Sequence, residues 1–315
     1  MKQDSDQQQS MQAAYQSWAE RHGFANWVLA LLWIIAAFFL FQFAALLVFT
    51  ILVMTREGNI DPVAIYESMT DYLDLFFIGN STGQILFLGL ATWFFVRLHT
   101  SSEQRSAFMR FSAPSDTVRN LFLAVVLILS IQPTIWFLGW LNALIPMPEY
   151  FTNLQSSQME MIENFLKSDH ILWLTLFHVA VVPAICEEVL YRSYALRAFE
   201  KSWGIWPAII VTGLLFGLYH VQLSNLLPLT GIGILLAYVT WVSKSVFPAM
   251  AAHFVNNGGS VLLGTYYPTS AFAEMTPETM PPLWGVVLSL VISGYIVYWM
   301  YNQHKKISTG GTSYV

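Results

Sequence analysis

Three segments in the second half of the chain set ionisable side chains inside otherwise apolar runs. In Cys186-Glu187-Glu188-Val189-Leu190-Tyr191-Arg192, two adjacent carboxylates are followed by a guanidinium. On a helix Glu188 and Arg192 lie one turn apart on the same face and can form an ion pair. Glu187 is rotated about 100° away and meets Tyr191, not a cation, at its own i+4 position. A carboxylate left unpaired in an apolar setting is suited to take a proton as a general base. Pro183, four residues earlier, should open the helix and free a carbonyl beside the site. Phe216-Gly217-Leu218-Tyr219-His220 supplies one imidazole, and His253-Phe254-Val255-Asn256-Asn257 a second, with the Asn257 amide four residues on and on the same face. Plainer roles stay open for each. The glutamates would pair with basic residues at a helix end, His220 would bond a neighbouring carbonyl, and the histidine–asparagine segment would be polar glue between helices.

For these groups to act together, their elements must bring them to one depth. Glu187 and His220 are equidistant from a point between Trp203 and Gly204, and Ser202-Trp203-Gly204 reads as a turn. An antiparallel helical hairpin about that turn places the two side chains level. The turn carries Arg197, Glu200 and Lys201 and should project into the cytosol. At 1.5 Å per residue the site then lies about 24 Å from the hairpin tip.

The whole chain reads as a polytopic membrane bundle. Of 315 residues 56% are apolar and 10% charged, with a mean hydropathy of +0.53, whereas a soluble domain carries about a quarter charged residues. The apolar residues fall in blocks, giving about eight predicted spans near 27–54, 76–98, 119–145, 170–200, 205–226, 228–243, 246–266 and 282–301. The first block is too long for a signal-peptide core. Segments 55–75, 146–169 and 267–281 hold eleven carboxylates but only Arg56 and Lys167 as cations, and the other twelve Lys and Arg lie at the opposite ends of the spans. By the positive-inside rule both termini are cytoplasmic and the number of spans is even. The predicted organisation is a polar cytoplasmic segment over 1–26, an eight-helix membrane domain over 27–301 with its chemistry at 165–266, and a disordered tail over 302–315. A net charge of −5 with no basic stripe argues against a nucleic-acid partner, and the single cysteine, Cys186, excludes an internal disulfide and cannot build a cysteine zinc site.

The order EExxxR, FxxxH, HxxxN, each on its own span, resembles the CPBP family of intramembrane proteases, which includes the type II CAAX prenyl proteases and proteins linked to bacteriocin processing and self-immunity. Its positions are filled by Glu187, Glu188, Arg192, Phe216, His220, His253 and Asn257. The resemblance covers roughly 165–266 and implies hydrolysis of a peptide bond, in a peptide or membrane-protein substrate, within or at the edge of the bilayer. It implies that Glu187 with His220 activates a water, that His253 and Asn257 stabilise the oxyanion, that Glu188 and Arg192 form a supporting pair and that Phe216 packs. A multi-pass protein of a bacterial cytoplasmic membrane is the expected setting. Glu187, His220 and His253 would also serve as three zinc ligands with a fourth position left for water. Asn257, a poor zinc ligand and a good donor, tips the expectation towards a mechanism that needs no cofactor. Two other function classes stay open: a scaffold or self-immunity protein without turnover, and a transporter. Against the transporter, the two halves show no repeat, and the buried charges cluster in one of them.

Overall fold

The computed structural model describes residues 17–58, 69–153, 156–157, 172–267 and 279–310. Among them every regular element is helical. The long helices, in chain order, are α1 (Asn26–Glu57), α2 (Leu73–Leu98), α3 (Thr117–Ser130), α4 (Gln132–Ala143), α5 (Leu172–Trp203), α6 (Ile205–Tyr219), α7 (Leu223–Ser243), α8 (Phe247–Tyr266) and α9 (Leu283–Gly310).

Every predicted span coincides with one of these helices or, for 119–145, with the α3–α4 pair. Their lengths and compositions make some of these crossings more evident than others. Five helices among the described residues (α1, α2, α5, α7 and α9) are long and apolar enough to cross a bilayer, and α3 with α4, bent by 44°, makes a sixth if the pair is one broken span. Helix α6 is apolar but has only 15 residues. Helix α8 has 20, but His253, Asn256, Asn257 and its glycines dilute its apolar run. The protein is thus a multi-pass, all-helical membrane protein with five or six evident crossings. The C-terminus differs from expectation: residues 302–310, expected in a disordered tail, continue α9 as helix. Asn302, Gln303, Lys305 and Lys306 are tolerable helix residues, lysines suit a helix C-terminus, and His304 Nδ1 donates to the Val242 carbonyl at 3.0 Å. The charged residues Lys2, Asp61, Glu67, Glu160, Glu163, Lys167, Asp169, Glu274 and Glu278 lie outside the described residues.

Two devices set the position of the site helices. Gly204 ends α5 and begins α6 at φ +78°, a conformation only glycine adopts freely, so the predicted turn falls where the sequence put it. Helices α6 and α7 then pack almost backbone to backbone: a Cβ on Gly213 would stand 2.7 Å from the Ile234 nitrogen, and one on Gly233 would stand 2.8 Å from the Gly213 carbonyl oxygen. Helix α5 runs through the middle of this assembly. Leu190, Tyr191, Arg192, Tyr194, Ala195 and Leu196 are all 0% exposed.

The Gly204 end of the bundle is tied by polar contacts. Arg110 and Arg197 both bind the Glu200 carboxylate, Arg197 Nε donates to the Phe108 carbonyl, and Ser245 Oγ donates to the Ser112 carbonyl. His99, just past α2, donates from Nδ1 to Asn26 Oδ1 (2.7 Å) and accepts at Nε2 from the Tyr194 hydroxyl (2.9 Å). That arrangement needs a neutral ring, and burial, with Lys201 nearby, pulls the His99 pKa down to about 4.

Candidate active site

Between Phe177 and Ala195, α5 is not a plain α-helix. Phe177–Val181 and Val189–Ala195 are π-helical, with the α-helical turns of Val182–Glu188 between them. Such bulges turn successive side chains to directions a regular helix would not allow, and they gather at functional sites. Pro183 lacks the N–H that would serve the carbonyl four residues back, which belongs to Val179. The orphaned oxygen is taken by Asn257 of α8, whose Nδ2 donates to it at 3.1 Å. Asn257 in turn accepts from Asn256, and Asn256 from Gln132 of α4. On the other side of α5, His178 Nδ1 bonds the Ser81 hydroxyl of α2 at 2.7 Å. A belt of polar contacts therefore crosses α4, α8, α5 and α2.

About two turns along α5 from that belt lies the charged cluster. Glu188 and Arg192 pair at 2.8 Å with both side chains 0% exposed. The same oxygen, Glu188 Oε1, accepts from His253 Nδ1 at 2.8 Å, so the pair predicted from spacing extends to a third member on α8. Arg192 also donates to the Gly233 carbonyl of α7 at 3.3 Å, and its guanidinium lies 4.2 Å from the Phe216 ring centroid on α6. One arginine thus touches three elements. Phe216 packs edge-on between the two imidazoles, 4.9 Å from His220 and 5.8 Å from His253.

Glu187 leaves α5 about 100° round from Glu188 and reaches the far edge of the same His253 ring. Its Oε2 is 3.9 Å from His253 Nε2, beyond hydrogen-bond range, and has no protein partner among the described residues. His253 therefore stands between two carboxylates, bonded to Glu188 through one nitrogen and facing Glu187 with the other. His220 reaches the cluster through Phe216 and has no ion pair with Glu187 among the described residues. Its Nδ1 donates to the Phe216 carbonyl at 2.8 Å. In both histidines the Nδ1–H is thus committed, and Nε2 is the atom left for chemistry.

The structure brings Glu187, Glu188, Arg192, Phe216, His220 and His253 into one connected cluster. Asn257 lies one turn further along α8 with its amide on the α5 backbone. Among the described residues no three His, Cys, Asp or Glu side chains stand together as a cage for a metal ion, so Glu187, His220 and His253 are not gathered as a ligand set in this arrangement. An apolar crevice of about 620 Å³ between α4, α6, α7 and α9, lined by Ile135, Ile209, Ile234 and Val297 among others, shares none of these residues.

Sequence reasoning passed over two tyrosines. Tyr191 and Tyr219 flank the cluster with ring centroids 5.6 Å apart, and Tyr219 packs on Phe38 and Phe41 of α1 at 5.4 and 5.8 Å. The available signal was position: Tyr191 lies within α5 and Tyr219 within the predicted span 205–226, away from the span ends where tyrosine concentrates.

Compared with known proteins, residues 169–259 match the family model described as type II CAAX prenyl endopeptidase Rce1-like, consistent with a protease of the CPBP family. No curated protein and no solved structure matches the chain.

Proposed function

We propose that this protein is an intramembrane endopeptidase in which Glu187 draws a proton from water as the water oxygen attacks a peptide carbonyl. The observation that carries the reading is a carboxylate oxygen, Glu187 Oε2, buried without a hydrogen-bond partner among the described residues, beside an imidazole anchored on a second carboxylate. Groups that could bind a water, move a proton and donate to an oxyanion are thereby held in a site shielded from bulk solvent. The match of residues 169–259 to a prenyl-endopeptidase model supports the same chemistry.

In the reaction the water oxygen bonds to the carbonyl carbon while its proton passes to Glu187. The tetrahedral oxyanion then collapses, the C–N bond breaks, and Glu187 returns the proton to the leaving amine. Because the His253 Nδ1–H is held by Glu188, this ring offers an Nε2–H to the oxyanion only when doubly protonated; otherwise Nε2 is an acceptor. Arg192 positions Glu188, and Glu188 fixes the ring of His253. His220 Nε2 orients water or substrate from α6. Asn257 serves the oxyanion only when its amide turns from the Val179 carbonyl towards the cluster. No step is routed through a metal. Zinc held by Glu187, His220 and His253 is the competing version, and it requires those side chains to close in around the ion.

The substrate is a peptide or a membrane-protein segment presented in the bilayer, with a C-terminal CAAX-like peptide as one form. With both termini cytoplasmic, the Gly204 turn faces the cytosol of a bacterial host and the polar belt lies on the outward side of the cluster. The test is a comparison of membrane and secreted peptides between cells carrying the protein and cells carrying Glu187→Ala. A peptide cleaved only with the native residue supports the reading. Identical peptide profiles together with an intact cellular phenotype would favour the scaffold or self-immunity role.

A further inference from the structure

We infer that Tyr191 and Tyr219 form, with Glu187, a binding site for one water molecule; the role of that water as the attacking nucleophile rests on the peptidase reading. Three polar atoms carry the inference: Glu187 Oε2, the Tyr191 hydroxyl and the Tyr219 hydroxyl. Each is buried, and each lacks a protein hydrogen-bond partner among the described residues. Buried polar groups are almost always satisfied, so one orphan calls for a cause and three in one neighbourhood call for a common one.

The backbone explains why they meet. Tyr191 is four residues beyond Glu187, and helical side chains lean back towards the N-terminus, so its ring covers the turn that carries Glu187. Tyr219 comes from α6 next to His220, its ring 5.6 Å from that of Tyr191 and 5.7 Å from the His220 ring. Phe216 closes one side at 5.5 Å from Tyr191, while Phe38 and Phe41 of α1 close the other, against Tyr219.

Water suits this set better than an ion or a larger ligand. A buried water makes about three hydrogen bonds, and these groups offer three. A carboxylate only accepts, whereas each phenol can accept or donate. One phenol donates to the water, the other accepts one of its hydrogens, and Glu187 accepts the second. That pattern leaves one lone pair on the water oxygen for attack and puts the proton to be lost on the base.

The test uses the full chain in detergent or lipid, with a structure at a resolution that shows ordered water. The expected result is a peak within hydrogen-bond distance of Glu187 Oε2 and both tyrosine hydroxyls. Tyr191→Phe and Tyr219→Phe keep the rings and their packing. Each should displace or disorder that water and lower kcat on an internally quenched peptide, taken from the cleaved segment, by roughly tenfold to a hundredfold with KM nearly constant. A fall in kcat with an unchanged melting temperature separates this role from a structural one. The absence of water at that position in the native protein, or Phe variants with full kcat, overturns the proposal. An ordered water at this place in a protein that cleaves nothing supports the binding site and removes the peptidase reading instead.

Discussion

Methionine in place of Arg192 would leave the Glu188 carboxylate sealed in the bundle with His253 as its remaining donor. The arginine is 0% exposed, bonds Glu188 at 2.8 Å and the Gly233 carbonyl at 3.3 Å, and covers the face of Phe216. Breaking a buried ion pair on one side costs about 3–5 kcal/mol, mostly because a charge is stranded out of water. Methionine fills much of the vacated volume, so the cavity contribution stays small. If stranding is the cause, removing the second charge should recover much of the loss. We therefore expect Arg192→Met to destabilise by about 3–5 kcal/mol, and Glu188→Gln with Arg192→Met to be more stable than the sum of the singles implies by about 2 kcal/mol. The assay is unfolding of the four proteins of this cycle in lipid nanodiscs at one pH, repeated at low and high salt. Salt should hardly change the coupling, because the pair is shielded. A coupling within about 0.5 kcal/mol of zero would refute the reasoning, since contacts at surface sites give values that small.

Acid should loosen the Gly204 end of the bundle. The His99 pKa in the folded state, about 4, lies below its ordinary 6.5, so its contribution is complete above pH 6.5 and is lost as pH falls towards 4. The loss is about 2–3 kcal/mol at pH 4.5, and the stability gap between native protein and His99→Gln should narrow by that amount between pH 7.5 and 4.5. Asn257→Leu strips the donor from the Val179 carbonyl and should cost about 1–3 kcal/mol. Adding Pro183→Ala restores a backbone N–H and should recover part of it; no recovery on melting would disconnect the two residues. Gly213→Ala forces α6 and α7 apart at Ile234 and should cost about 1–3 kcal/mol while lowering peptide cleavage, because His220 sits on the displaced helix. Cleavage should survive exhaustive chelation in protein shown by elemental analysis to lack zinc; loss with chelator and return with zinc would reinstate the metal version.

Much of this arrangement was legible because burying charge in a membrane is costly. Glu188 and Arg192 were paired from spacing alone, and the pair forms. Pro183 was read as freeing a carbonyl, and Val179 is that carbonyl, although the sequence could not say that Asn257 would take it. The turn at Gly204 was legible from composition and levels the motif segments of α5 and α6. The attachment of His253 to Glu188 was not legible, since it depends on how α8 rotates against α5. Of the eight expected crossings five or six are evident among the described residues, because periodicity and apolar runs mark helices, whereas a full crossing also requires length. Helix α6 falls short in that respect. Nothing in the spacing announced the π-helical stretches of α5, which depend on tertiary packing.

The aromatic contact between α1 and Tyr219 bears on how such a protein can be divided. The stretch that matches a known family begins at residue 169, yet Phe38 and Phe41 belong to α1, far ahead of it in the chain. Transplanting the matching stretch into another bundle would carry over every ionisable group and leave one wall behind. Lipid tails would then reach the phenol that Phe38 and Phe41 now shield. The portable unit is thus larger than its recognisable signature, since part of what borders the reactive groups comes from outside it.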